Sequence, residues 1–93
     1  MSKVRAHVLI EGRVQGVFFR SYTCHQAEKL DVAGWVRNCS DGRVEAVFEG
    51  EEDKVRRMVD WCHIGPPEAH VRNIDVQWED YTGEFDSFYI RYY

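Results

Sequence analysis

At 93 residues, with 44% hydrophobic, 14% aromatic and 30% charged positions, the chain has room for one hydrophobic core; this excludes a multidomain enzyme, a disordered chain and a collagen-like one. Its apolar runs are a few residues long, against the roughly 18 that mark a membrane helix, and no charged start followed by an apolar stretch opens the chain, so neither a membrane span nor a secretory leader is expected. The net charge of -4 argues against a general nucleic-acid binder, but the charge is uneven: residues 1–44 carry seven Lys or Arg against four Asp or Glu, and residues 45–93 five against twelve, which places any anion site in the first half.

Val4, Ala6, Val8 and Ile10 alternate with Arg5, His7 and Glu11, the period of a strand with one buried face, and Gly12 is read as its end. A short loop containing Gly16 leads into helix formers from Phe19 to Leu30, where Phe19, Tyr22, Ala27 and Leu30 recur near helical spacing. Gly34–Arg37 and Val44–Phe48 flank an Asp41-Gly42 pair, the signature of a β-hairpin. Glu51, Glu52 and Asp53 suit a helix N-terminus, and Val55, Met58, Val59 and Cys62 follow at i, i+3, i+4 and i+7. Gly65-Pro66-Pro67 stops that helix. Ile74, Val76 and Trp78, then Phe88, Ile90 and Tyr92, alternate as two more strands.

The order β-α-β-β-α-β with a short fifth strand predicts an α+β, ferredoxin-like split-βαβ sandwich in one domain, residues 1–93: an antiparallel sheet of four to five strands with both helices on one face. That fold carries metal chaperones, ligand sensors, RNA-binding modules and small enzymes, so function has to be argued from a site.

The segment Gly12-Arg13-Val14-Gln15-Gly16-Val17-Phe18-Phe19-Arg20 joins the first strand to the first helix. A loop entering a helix N-terminus turns successive N–H groups inward, and the unpaired amides of the first turn carry partial positive charge, a nest that suits phosphate. Arg20 adds a guanidinium fork matched to two phosphate oxygens. The segment lacks the spacing and terminal Lys-Ser/Thr of a nucleotide P-loop. The alternative is a tight connection with Arg20 solvated on its helix. Asn38, at the end of the second strand, is either a residue that starts the turn or an amide that holds a water near the loop.

The run GRVQGVFFR, residues 12–20, followed by GWVRN at 34–38 and DGRVE at 41–45, resembles the acylphosphatase family, and GPPEAHV at 65–71 and TGEF at 82–85 resemble its bacterial-type members. The resemblance covers essentially the whole chain. It implies a small ferredoxin-like enzyme that hydrolyses the carboxyl-phosphate bond of acyl phosphates, releases inorganic phosphate and needs neither metal nor organic cofactor. Arg20 matches the family's phosphate-binding arginine and Asn38 the asparagine that positions the attacking water. The backbone of Gln15, Gly16, Val17, Phe18 and Phe19 would complete the phosphate site. The leaving carboxylate is the base of an acid of pKa about 4, so a general acid adds little; an amide is not basic enough to deprotonate water, so Asn38 would orient it, and the substrate phosphate is a candidate proton acceptor.

Other constellations carry less. Cys24-His25 and Cys62-His63 lack zinc-ligand spacing, and no metal is expected; Cys62 lies on an apolar stripe, whereas Cys24 and His25 are read as surface residues. His7, His25, His63 and His70 form no cluster. Phe18, Phe19, Trp35 and Phe48 would serve an RNA-recognition module, but its signature is missing from Arg43–Phe48, and core packing is the simpler account of the rings. A non-catalytic module for phosphorylated metabolites is the alternative to an enzyme. Three cysteines, an odd number, point to a reducing cytoplasm, and the chain is expected to be a monomer without nucleic-acid or membrane partners.

Overall fold

A computed structural model describes residues 2–92. Its elements are β1 (Lys3–Arg13), α1 (Phe19–Leu30), β2 (Ala33–Asn38), β3 (Val44–Glu51), α2 (Glu52–Cys62), β4 (His70–Glu79) and β5 (Phe88–Arg91). The strands form one sheet in the order β4-β1-β3-β2-β5. Ala6, Val8 and Ile10 of β1, Val36 of β2, Val44, Ala46 and Phe48 of β3 and Phe88 of β5 share one buried core with Phe19 and Ala27 of α1 and Val55, Met58, Val59 and Cys62 of α2. All four residues of the α2 stripe are buried, as their spacing requires.

The sheet departs from the antiparallel expectation at one edge. β1 pairs antiparallel with β3 and β4, and β2 with β3, but β2 pairs parallel with β5, with Val36 opposite Ile90. The sheet is therefore mixed. β1, β2 and β5 run the same way, and their C-terminal ends meet at one end of the sheet beside the start of α1.

Four local readings change. β1 does not stop at Gly12: the ladder with β4 shifts register there and runs on to Arg13 opposite His70. Glycine allows the shift, since a Cβ at position 12 would stand 2.1 Å from the His70 carbonyl oxygen. On α1 the buried positions are Phe19, Thr23 and Ala27, with Tyr22 exposed; the Thr23 hydroxyl is satisfied by donating to the Phe19 carbonyl at 2.7 Å. Phe18 is not a core ring but 72% exposed, because its left-handed backbone (φ 65°) turns the side chain outward. Cys24, read as a surface residue, packs partly buried against the core.

The face away from the helices is held by charge. Glu45 of β3 accepts from Arg37 Nε of β2 at 2.6 Å and lies 2.6 Å from His7 Nε2 of β1, tying three neighbouring strands. Glu49, only 2% exposed, accepts from Arg5 at 3.0 Å, from the Thr82 N–H and hydroxyl at 3.0 and 2.8 Å, and from the Gly83 N–H at 3.1 Å. This clasp fixes the connection that carries the chain from β4, at one edge, to β5 at the other. Burial alone would raise the Glu49 carboxyl, but the hydrogen bonds from Thr82, Arg5 and Gly83 outweigh it and hold the group below the ordinary glutamate value. A depressed folded value means that the stabilisation is complete above the ordinary range and is lost as pH falls through the folded value. Glu49→Ala, which also leaves these donors unpaired, is expected to cost about 2–4 kcal/mol in urea unfolding near neutral pH and less in acid. An equal cost at both pH values would contradict the clasp.

Candidate active site

The β1–α1 loop lies where β1, β2 and β5 end. Gly16 takes φ 76°, a region that glycine enters without steric cost, and Phe18 follows at φ 65° as the residue before the first turn of α1. No side chain caps α1, and among the described residues no backbone or side-chain acceptor takes the N–H groups of Gly16, Val17, Phe18, Phe19 or Arg20. Unpaired amides at a helix start beside left-handed residues form an anion-binding concavity.

The loop and the start of α1 border a cavity of about 240 Å³ lined by Val14, Gly16, Phe18, Phe19, Arg20, Ser21, Asn38, Ile90 and Tyr92. Its volume suits a small polar ligand better than a nucleotide. Arg20 and Asn38 thus reach one cavity from the second residue of α1 and the last residue of β2. Among the described residues of the lining there is no carboxylate side chain, and Arg20 gives them a positive charge. The guanidinium carbon of Arg20 stands 5.3 Å from the centre of the Tyr92 ring. The Asn38 side-chain amide has no partner among the described residues.

Gln15 and Val17 contribute no side chain to the lining. Val17 is buried in the core. Gln15 points away from the cavity and donates from Nε2 to the carbonyls of Cys39 at 2.8 Å and Arg43 at 2.9 Å, tying the loop to the hairpin that follows Asn38. Val14, Ser21, Ile90 and Tyr92 line the cavity without having been expected there. Ser21 had a signal, as the neighbour of Arg20, whereas Ile90 and Tyr92 depend on the β2–β5 pairing, which no local pattern announces. Among the described residues no group of three or more His, Cys, Asp or Glu side chains is placed to hold a metal ion.

Fold and cavity together define a class: a two-layer α+β domain whose strand-to-helix loop leaves its amides unpaired, among the described residues, at one end of the sheet. Residues 6–90 match the acylphosphatase family model. The chain is 55% identical over 92 residues, 99% of it and 100% of the relative, to an acylphosphatase of Pelotomaculum thermopropionicum, and 56% identical over 92 residues, 99% of it and 95% of the relative, to one of Syntrophobacter fumaroxidans. Its fold matches the crystal structure of an acylphosphatase from Bacillus subtilis with a TM-score of 0.92 at 36% identity, covering 96% of this chain and 99% of that one. The chain belongs to the acylphosphatase family, and its activity is that of an acylphosphatase.

Proposed function

We propose that the cavity is the catalytic site, in which Arg20 and the amides of residues 15–20 bind the phosphate of an acyl phosphate and Asn38 orients the water that attacks it. The observation that carries this reading is the convergence of Arg20, Asn38 and the uncapped α1 start on a cavity whose described lining holds no acidic side chain. Phosphoryl transfer passes through a loose transition state with charge spread over the equatorial oxygens, so fixed donors around those oxygens and a water held in line supply most of what the reaction needs. The water oxygen bonds to phosphorus as the phosphorus–acyl oxygen bond breaks, and the carboxylate leaves with the electron pair. It needs no proton near neutral pH. The described lining holds no imidazole or carboxylate, and the water proton passes to a phosphate oxygen of the substrate.

The whole chain, residues 1–93, works in this reading as one monomeric, cytoplasmic domain without nucleic-acid, membrane or cofactor partners. The cytoplasmic assignment is supported by Cys24, Cys39 and Cys62, all unpaired. Against RNA binding, Glu45 and Glu49 occupy the open face of β3, where an RNA module would present stacking rings and cations. The test is phosphate release from benzoyl phosphate by the purified protein in excess chelator, with inorganic phosphate as inhibitor. Turnover with competitive inhibition supports the reading; loss of turnover on metal removal, or no competition by phosphate, overturns it.

The Gln15 tie adds a second expectation. Gln15→Ala should lower kcat about tenfold, because loop and Asn38 no longer share one rigid frame, and cost about 1–2 kcal/mol of stability. Steady-state kinetics beside urea unfolding would check both, and a stability loss with unchanged kcat would confine Gln15 to folding.

A further inference from the structure

The Asn38 side chain reaches the cavity with no hydrogen bond to hold it among the described residues, so its place is set by the backbone at the end of β2. A water is aimed only as well as the amide that holds it, and a displacement of about 1 Å can cost on the order of 10²-fold in rate. This strand end is held from two sides. From the loop, Gln15 bonds the Cys39 and Arg43 carbonyls at 2.8 and 2.9 Å. On the face away from the helices the brace is ionic. Arg37 directly precedes Asn38 and, by strand alternation, projects from the other face, where its Nε donates to Glu45 Oε1 at 2.6 Å. The second oxygen of Glu45 lies 2.6 Å from His7 Nε2. One carboxylate thus links β2, which carries Asn38, to β1, which runs into the phosphate loop. Both its oxygens are engaged by different strands and its side chain is only 16% exposed, which sets it apart from a surface ion pair worth little. The backbone ladder already pairs Arg37 with Glu45 and Asn38 with Val44, so β2 and β3 are joined without these side chains. What the side chains add is stiffness in the last two residues of β2, where the ladder ends.

Building on the assignment of Asn38 to the attacking water, we infer that Glu45 and Arg37 are positioning residues for the reaction: Glu45, anchored by His7, fixes Arg37 and through it the backbone that aims the Asn38 amide. Neither Glu45 nor Arg37 lines the cavity. Breaking the brace loosens Asn38 without removing a phosphate donor, so it acts on kcat and leaves phosphate binding in place. A purely electrostatic role has the opposite signature. Removing the Glu45 charge leaves the Arg37 charge unneutralised, which would strengthen phosphate binding and make it more sensitive to salt.

The test is a double-variant cycle read by benzoyl phosphate hydrolysis, at a temperature where circular dichroism shows each variant folded. Glu45→Gln, nearly isosteric, is expected to lower kcat about fivefold, with KM and the inhibition constant of inorganic phosphate within about twofold of wild type. Arg37→Met should match it and carries the cycle if Glu45→Gln fails to fold. Arg37→Lys, which keeps a cation within reach of Glu45, should recover most of the loss. The deciding arm is the Asn38→Ala background, where adding Glu45→Gln should cost no further kcat, because the brace has nothing left to aim. The same loss in both backgrounds, an unchanged kcat in Glu45→Gln and Arg37→Met, or a change confined to phosphate inhibition overturns the positioning role and leaves that of Asn38 standing. Near-normal kcat in Asn38→Ala alone overturns both.

Discussion

Arg20→Ala is expected to lower kcat/KM by about 10³-fold or more, roughly 4 kcal/mol of transition-state stabilisation, and to abolish inhibition by inorganic phosphate. Among the described residues Arg20 is the one charged side chain of the cavity lining and its only partner is the Tyr92 ring. Among the described residues no carboxylate pairs with its fork. In the proposed role its removal would take away the two charge-assisted hydrogen bonds its fork can make to a phosphate together with its positive charge at the cavity. Binding and turnover should fall together, since the same oxygens are held in ground and transition states, with the larger loss in kcat as charge spreads onto them. Arg20→Lys should recover only part, because an ammonium supplies the charge without the planar fork. Urea unfolding of either variant should move by less than about 0.5 kcal/mol, since no buried ion pair is broken. Turnover kept within about tenfold of wild type in a folded Arg20→Ala would place the phosphate elsewhere.

What could be read from the chain follows from the range over which each signal acts. The alternation of Val4, Ala6, Val8 and Ile10 and the α2 stripe of Val55, Met58, Val59 and Cys62 are local periods, and every one of these residues but the partly buried Val4 is in the buried core. Asp41-Gly42 marks the hairpin for the same reason. Asn38 meets Arg20 because β1 and β2 both pair antiparallel with β3 and so run the same way, which the element order already implies. The parallel β5 was not legible: it crosses from β4 at the far edge, guided by a clasp in which Glu49 meets Thr82 and Gly83. An acidic residue beside a strand of valines reads as a solvated position, and its partners lie more than thirty residues away. Ile90 and Tyr92 reach the cavity only through that crossing. The exposure of Phe18 is not legible in the sequence because composition says nothing of φ. The type of side chain suggested core, and the left-handed turn that starts α1 puts it outside. Gln15 shows the converse, a polar side chain of the β1–α1 loop that serves the carbonyls of the next hairpin and not the cavity.

Asn38→Ala should separate binding from chemistry. We expect kcat to fall by about 10²- to 10³-fold while KM and the inhibition constant of inorganic phosphate stay within about threefold. The side-chain amide makes no hydrogen bond among the described residues, so its removal leaves no partner stranded and the urea midpoint should hardly change. Its backbone stays in the β2–β3 ladder opposite Val44, and its Cβ position is kept by alanine. In the proposed mechanism the variant therefore loses one thing, the group that would fix the water in line with the breaking bond. A mobile water attacks less often from the productive direction, but phosphate contacts made by Arg20 and the loop amides persist. Asn38→Asp is the complementary substitution: it is nearly isosteric but places a negative charge beside the phosphate, and should weaken phosphate inhibition as well as turnover. Equal loss of phosphate affinity in the alanine and aspartate variants would make Asn38 a phosphate ligand. Near-normal kcat in Asn38→Ala would leave the water to be oriented by the loop alone.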